Sequence, residues 1–179
     1  MAYNPIPPYR IELLDFESIH RAFTEPARRL LTEAISIRPD VRTLNSATVF
    51  GAITDCQELA GIAGLHTGQY QPQFGDLSVT ELRWLAVNHQ YRRQDTQPKW
   101  FVSDTLYDTS YRQKGQGIGR ALLGVVEEFS VQSGDQAIYL ASRKESRGFY
   151  GHPSIGYTAL GGDTELFVKR HEPINRGIA

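Results

Sequence analysis

Between Tyr111 and Gly119 the chain reads Tyr-Arg-Gln-Lys-Gly-Gln-Gly-Ile-Gly, with glycines at alternate positions behind two cations. It then runs into a segment whose Ile118, Leu122, Val125, Val126 and Phe129 recur at helical spacing. Glycine permits positive φ and leaves no Cβ between the amides and a ligand, while the N–H groups of a helix's first turn are unpaired and its dipole is positive there. Arg112, Lys114, Gly115, Gln116, Gly117, Ile118, Gly119 and Arg120 are therefore candidate contacts for an anion, most plainly a phosphate; the alternative is an ordinary tight loop. A second stretch, Val79-Thr-Glu-Leu-Arg-Trp-Leu-Ala-Val-Asn88, reads as a strand carrying Glu81 and Arg83. Burial disfavours the charged form of a carboxyl, so a half-buried strand glutamate is suited to take a proton from an ammonium, directly or through water. The plainer alternative for Glu81 is a solvent-facing carboxylate paired with Arg83 or another base.

Three kinds of phosphate loop are distinguishable by spacing. A P-loop needs Ser or Thr after Gly-Lys, whereas here Arg120 and Ala121 follow the last glycine. A dinucleotide fingerprint needs G-x-G-x-x-G, which neither Gly115 nor Gly117 begins. What remains, a basic residue and then Gly-x-Gly opening an amphipathic helix, resembles the coenzyme A pyrophosphate loop of the GNAT (Gcn5-related N-acetyltransferase) superfamily. Two registers fit, Arg112-x-x-Gly115-x-Gly117 and Lys114-x-x-Gly117-x-Gly119; the second matches the following Ile-Gly-x-x-Leu-Leu better and leaves Arg112 as an auxiliary phosphate contact.

Two more motifs in the expected order extend the resemblance over Val79 to Lys169. Leu85-Ala86-Val87 followed by Asn88-His-Gln-Tyr-Arg-Arg93 is similar to the family's strand end; the resemblance implies that amides at Leu85, Ala86 and Val87 hold the pantetheine arm and polarise the thioester carbonyl. Glu81, six residues before Val87, falls where protein-lysine acetyltransferases of the family keep a glutamate base. Ser142-Arg-Lys-Glu-Ser-Arg-Gly-Phe-Tyr-Gly-His-Pro-Ser-Ile-Gly-Tyr157 resembles the Asn-x-x-Ala-x-x-Phe-Tyr-x-x-x-Gly-Phe signature, with Ser142 in place of asparagine and Tyr157 in place of the last phenylalanine. By that match Ser142 is a coenzyme A contact and Tyr150 the general acid for the departing thiolate, with His152 as a competing acid or an adenine-side contact. The alternative for Tyr150 is packing with Phe149 on a short helix. The implied activity is direct acetyl transfer from acetyl-coenzyme A to a primary amine in a ternary complex, without a metal. The alternatives are a coenzyme A-binding sensor or interaction module without transfer, and a protein-lysine or aminoacyl-tRNA acetyltransferase. The chain departs from the family at residues 94–110, an insertion after which Tyr-Arg repeats at Tyr111-Arg112. Its Trp100, Phe101 and Tyr107 suit packing on an acceptor pocket or a second copy, and Asp95, Asp104 and Asp108 would attract a cationic amine. Arg83, Trp100 and Tyr107 are acceptor-side candidates; the acceptor itself, a small molecule or a peptide, is not legible, and a homodimer is open.

These groups need a scaffold, and 179 residues with 40% hydrophobic residues suit one α/β or α+β domain. The resemblance implies a mixed sheet of about six to seven strands, with two parallel strands splaying apart around the cofactor and helices on its faces. Strands are expected at Tyr9–Leu14, Ala47–Thr54, Leu59–Thr67, Val79–Asn88, Ala137–Ala141 and in a closing hairpin of Thr158–Leu160 with Glu165–Lys169. Helices are expected from Asp15 or Ser18 through Phe23, from Pro26 through Ala34, and from Ile118 to a stop at Ser133-Gly-Asp135. Residues 1–8 read as a loose arm and those from Arg170 onward as a fraying tail. Tyr70 and Phe74, in an irregular loop, are either pocket-lining or ordinary aromatics. A net charge of −1 offers no basic field for nucleic acid. The lone Cys56 sets no disulfide framework, His66 and His89 have no metal-ligand spacing, and no run is long enough for a membrane span, so a cytoplasmic protein is expected.

Overall fold

The computed structural model describes residues 9–91, 117–142, 144–161 and 165–171. The arm at 1–8, the insertion at 94–110 with Trp100 and Tyr107, and Arg112, Lys114, Gly115 and Gln116 lie outside the described residues. The elements in order are β1 (Tyr9–Leu13), α1 (Thr24–Ile35), α2 (Val41–Ser46), β2 (Thr48–Thr54), β3 (Leu59–Tyr70), β4 (Ser78–Val87), α3 (Ile118–Gln132), β5 (Ala137–Ala141), α4 (Arg147–Tyr150), β6 (Thr158–Ala159) and β7 (Leu166–Arg170). The strands form one open seven-stranded mixed sheet in the order β1-β2-β3-β4-β5-β7-β6. Most of the recorded ladders are antiparallel, and β4 pairs parallel with β5. A parallel pair needs a crossover, and α3 supplies it. The ladder matches Val79 with Ala137, Thr80 with Ile138 and Glu81 with Tyr139, whereas β4 continues to Val87. The recorded parallel ladder thus stops at Glu81, while β4 runs on to Val87.

The chain gathers into two compact units, one from Met1–Leu65 with Arg83–Val126, the other from His66–Leu82 with Glu127–Ala179. In the first, α1 turns Ala27, Leu30 and Leu31 inward onto Leu44, Val49 and Trp84. Burying each such leucine contributes about 1.5–3 kcal/mol. Two glycines of β3 make close packing possible. A Cβ on Gly64 would stand 2.1 Å from the Trp84 ring, and one on Gly61 would stand 2.7 Å from Ile118 Cγ2 and 3.0 Å from Leu122 Cδ1. The start of α3 thus lies directly on β3. The register of β2 and β3 shifts between Ala52 and Ile53, and the carbonyl of Ala60, the extra residue, accepts from Asn88 N–H at 2.8 Å, tying down the end of β4. The second unit has its own core of Val79, Ala137, Tyr139 and Val168, with Phe74 packed on Tyr139 at a ring distance of 5.1 Å.

The structure corrects three expectations. No α-helix forms from Asp15 to Phe23: the Asp15 carboxylate accepts from the backbone of Glu17 and Ser18 and from the Ser18 hydroxyl, while His20 Nδ1 accepts from Asp15 N–H at 3.0 Å. Those side-chain bonds compete with helix closure and lock a run of turns ending in a 3-10 turn at Arg21–Phe23, with Ile19 83% exposed. The second helix after β1 is instead α2, capped by Asp40, whose carboxylate accepts from Thr43 N–H at 2.6 Å. Arg170 does not fray; it closes β7, and His171 beyond it donates its N–H to Gln136 O at 2.9 Å. Tyr70 ends β3 at 71% exposure, and Phe74 is a core residue, so neither reads as a pocket aromatic. No helix among the described residues is long and apolar enough to cross a membrane.

Candidate functional site

In the first unit, backbone is the main feature of the site. Leu85 and Val87 are half-buried and Ala86 is buried on the α1 face, in the cluster that holds Trp84. The helix beginning at Ile118 is closed by Ala121 N–H donating to Gly117 O at 2.7 Å. That leaves the amides of its first turn directed out of the helix. Ile118 is buried and anchors the turn, while a Cβ on Gly119 would lie 3.4 Å from Val87 Cγ2. The glycine therefore brings the first turn of α3 against the last residue of β4 with only backbone between. A Cβ on Gly117 would meet nothing within 4 Å and its φ is not in the left-handed region, so neither sterics nor backbone conformation there demands glycine. Arg120 is half-buried. Arg83 is exposed, its guanidinium carbon 5.7 Å from the centre of the Trp84 ring, which accounts for it as a stacked cation rather than as a partner of Glu81.

In the second unit, the candidate groups are side chains. Glu81 is half-buried opposite Tyr139 and makes no ion pair among the described residues. Tyr150 ends α4 at 8% exposure, edge-on to Phe149 at 4.9 Å and to Tyr157 at 5.9 Å, with Phe167 at 6.0 Å. Burial in this aromatic cluster pushes its phenol well above the ordinary tyrosine range. Both readings of Tyr150 thus share one geometry: it does pack with Phe149, and it stays protonated. Tyr157 is likewise pushed up, first by burial and then by the charge of Glu127; among the described residues its buried hydroxyl has no partner of good hydrogen-bond geometry, Glu127 being its neighbour. Lys169 lies 5.7 Å from the centre of that ring, bonded to Glu127 at 2.7 Å and to Ile155 O at 3.0 Å. Ser142 is buried directly after β5, its N–H donating to Glu165 O at 2.6 Å. His152 is held in its own turn through Nδ1, 2.9 Å from Ser154 Oγ.

Sequence reasoning treated Asp135 only as part of a helix stop, yet it organises this unit. At 5% exposure it accepts from Gly68 N–H, Ser78 Oγ at 2.5 Å and Thr80 Oγ1 at 2.6 Å. Thr80 also meets Ser130 Oγ at 2.7 Å, and Ser130 meets His171 Nε2 at 2.8 Å. A carboxylate can only accept, and Thr80 has one proton, which goes to Asp135. Ser130 must then donate to Thr80, and His171 Nε2–H to Ser130, so the chain of bonds has one direction. The only sequence signal for it was polar residues at core positions. Among the described residues no group of three or more His, Cys, Asp or Glu is placed to hold a metal ion.

With a splayed parallel pair, a glycine-started crossover helix and a closing β5–β7–β6 arrangement, the chain has the GNAT fold. It superposes on the NatC complex bound to Gag peptide and coenzyme A with a TM-score of 0.62 at 11% identity, over 92% of this chain and 99% of that one. The GNAT family N-acetyltransferase YhbS from Escherichia coli in complex with coenzyme A gives 0.60 at 16% identity, over 95% and 85%. An aminoglycoside acetyltransferase from an uncultured soil metagenomic sample, in complex with sisomicin, gives 0.56 at 17%, over 86% and 91%. By sequence alone, no family model and no curated protein matches the chain.

Proposed function

We propose that this protein is an acetyl-coenzyme A-dependent N-acetyltransferase that transfers the acetyl group to a primary amine by direct attack. The observation that carries the reading is the free run of β4: the parallel ladder stops at Glu81, and the strand continues to Val87, which meets the glycine start of α3. Peptide groups beyond that ladder are suited to pair with the amide-rich pantetheine arm, and the first-turn amides of α3 with its pyrophosphate. Arg112, Lys114, Gly115 and Gln116 are assigned to the same phosphate contact on sequence, and Ser142 to the cofactor.

In this reading Glu81 removes a proton from the substrate ammonium, and the amine nitrogen bonds to the thioester carbon. Amides near Val87 stabilise the oxyanion, the nitrogen gives its second proton to water, and the carbon–sulfur bond then breaks. A phenol pushed up by burial is a hydrogen-bond donor rather than a full proton source. Tyr150 therefore holds the departing thiolate by a hydrogen bond, and water completes its protonation. Products are an N-acetyl amine and free coenzyme A, with one proton released. The NatC and aminoglycoside acetyltransferase complexes hold a peptide and an aminoglycoside, two very different ligands on one fold, so the acceptor must be found by assay. The test is thiol release from acetyl-coenzyme A over a panel of polyamines, amino acids, aminoglycosides and lysine peptides. Release with one class supports the reading, and saturable binding without release from any of them contradicts it in favour of a coenzyme A sensor.

A further inference from the structure

The first unit holds a cleft of about 430 Å³ that neither the proposed transfer chemistry nor the glycine turn uses. Its apolar lining comes from Phe23, Pro26, Leu30 and Leu59. Its rim comes from the β2–β3 turn with Glu58, from the end of β4 with Gln90, and from α1 with Arg29 and Glu33.

Glu58 is exposed, but it is held in place. Its backbone is fixed at both ends by Thr54: Thr54 N–H donates to Glu58 O at 2.9 Å, and Glu58 N–H donates to Thr54 Oγ1 at 3.1 Å. Its Oε2 accepts from Gln90 Nε2 at 3.1 Å and from the Tyr91 hydroxyl. Both donors are neutral, so they orient the carboxylate without neutralising it, and among the described residues no hydrogen bond to Oε1 is recorded. Among the described residues no cation pairs with it. Glu33, by contrast, lies 4.0 Å from His89 Nδ1. A fixed carboxylate with no cation partner among the described residues, in a cleft also lined by Phe23, Leu30 and Leu59, matches one positive charge on a hydrocarbon body. Arg29 on the α1 side makes the cleft repel a second positive charge.

We propose that this cleft is a binding site for a small monoammonium compound with a short apolar tail, the ammonium on Glu58 and the tail over Phe23, Leu30 and Leu59. The ligand is bound, not transformed, and the site is separate from the residues assigned to acetyl transfer.

The probe is isoamylamine, titrated into the full chain without acetyl-coenzyme A and followed by ligand-observed NMR and calorimetry. Saturable binding is expected, with isoamyl alcohol, the same shape without charge, at least tenfold weaker, and spermidine weaker than the monoamine. Glu58→Gln, on an exposed side chain, should fold normally and lower isoamylamine affinity about tenfold, while coenzyme A affinity stays within twofold. Tyr91→Phe keeps the charge but frees the carboxylate, and should weaken the amine severalfold. No saturable binding, equal binding of amine and alcohol, or an unchanged affinity in Glu58→Gln overturns the proposal. Because the titration involves no acetyl transfer, its failure would leave the proposed activity intact, and a failed thiol-release assay would leave this site intact.

Discussion

The two ends of β4 are built by opposite means. At its far end, Leu85 to Val87, the strand meets α3 through glycines, and what is offered to a ligand is peptide N–H and C=O. At its near end, Thr80 and Glu81 sit among buried polar and aromatic side chains: the Asp135, Ser130 and His171 chain, and Tyr139 opposite Glu81. On the proposed reading, the backbone surface serves a part shared by every acyl-coenzyme A. The buried side-chain network at the near end instead depends on each member keeping its own partner. Failure should differ accordingly: removing free space breaks the first region, and removing single atoms breaks the second.

The largest effect is expected where space is tightest. Gly64→Ala places a methyl 2.1 Å from the Trp84 ring, which cannot move without disturbing the core it shares with Ala27 and Leu31. Thermal or urea unfolding should show a loss of about 3 kcal/mol, and a loss below the noise of the melt would mean that β3 is free to shift.

Next is Tyr150→Phe, which keeps the ring packing and removes the donor. If Tyr150 supports the departing thiolate, kcat should fall about 10²-fold, with KM for acetyl-coenzyme A within twofold and the melting temperature unchanged. An unchanged kcat would reduce Tyr150 to packing. Tyr157→Phe is the control, since it deletes a buried hydroxyl that has no partner of good hydrogen-bond geometry among the described residues. It should be neutral or stabilising by roughly 0.5–1 kcal/mol and leave kcat alone.

Asp135→Asn turns an acceptor into a partial donor facing Ser78, Thr80 and Gly68 N–H, and should cost about 2 kcal/mol in unfolding experiments. A mild pH effect arises in the same chain of bonds. Burial holds His171 below its ordinary 6.5, against the opposing charges of Glu127 and Asp135 and with the help of Lys169. The unfolded chain therefore takes up the proton first as pH falls below 6.5. Stability should be full above that value and decline between it and the lower folded value. His171→Gln, which can still donate to Ser130 but does not titrate, should flatten that slope in melts from pH 7.5 to 5; an equal slope would place the acid sensitivity elsewhere.

The backbone-built region was the more legible in sequence. Glycine, apolar helical spacing and strand alternation are local signals, so α3, β4 and β5 were located within a residue. The segment Asp15 to Phe23 was misread because its apolar residues sit at helical spacing while Asp15 and His20 bond to the backbone instead, a competition that periodicity does not register. Asp135 was missed because its partners, Gly68, Ser78 and Thr80, are more than fifty residues away, and no local pattern marks a residue whose role is to satisfy distant donors. Glu58 was missed for a similar reason: its fixing depends on Gln90 and Tyr91, which only the fold brings to it.

The central claim, that the glycine start of α3 beside Val87 holds the coenzyme A phosphates, is tested most directly by calorimetric titration of coenzyme A into the wild-type chain and Gly119→Glu. A glutamate in the first turn suits the helix dipole, so the variant should fold as well as the parent. It also places a negative charge where the pyrophosphate would sit. The account predicts one saturable site in the wild type and loss of binding in the variant. Equal affinity in the two proteins, or no binding in either, would contradict it.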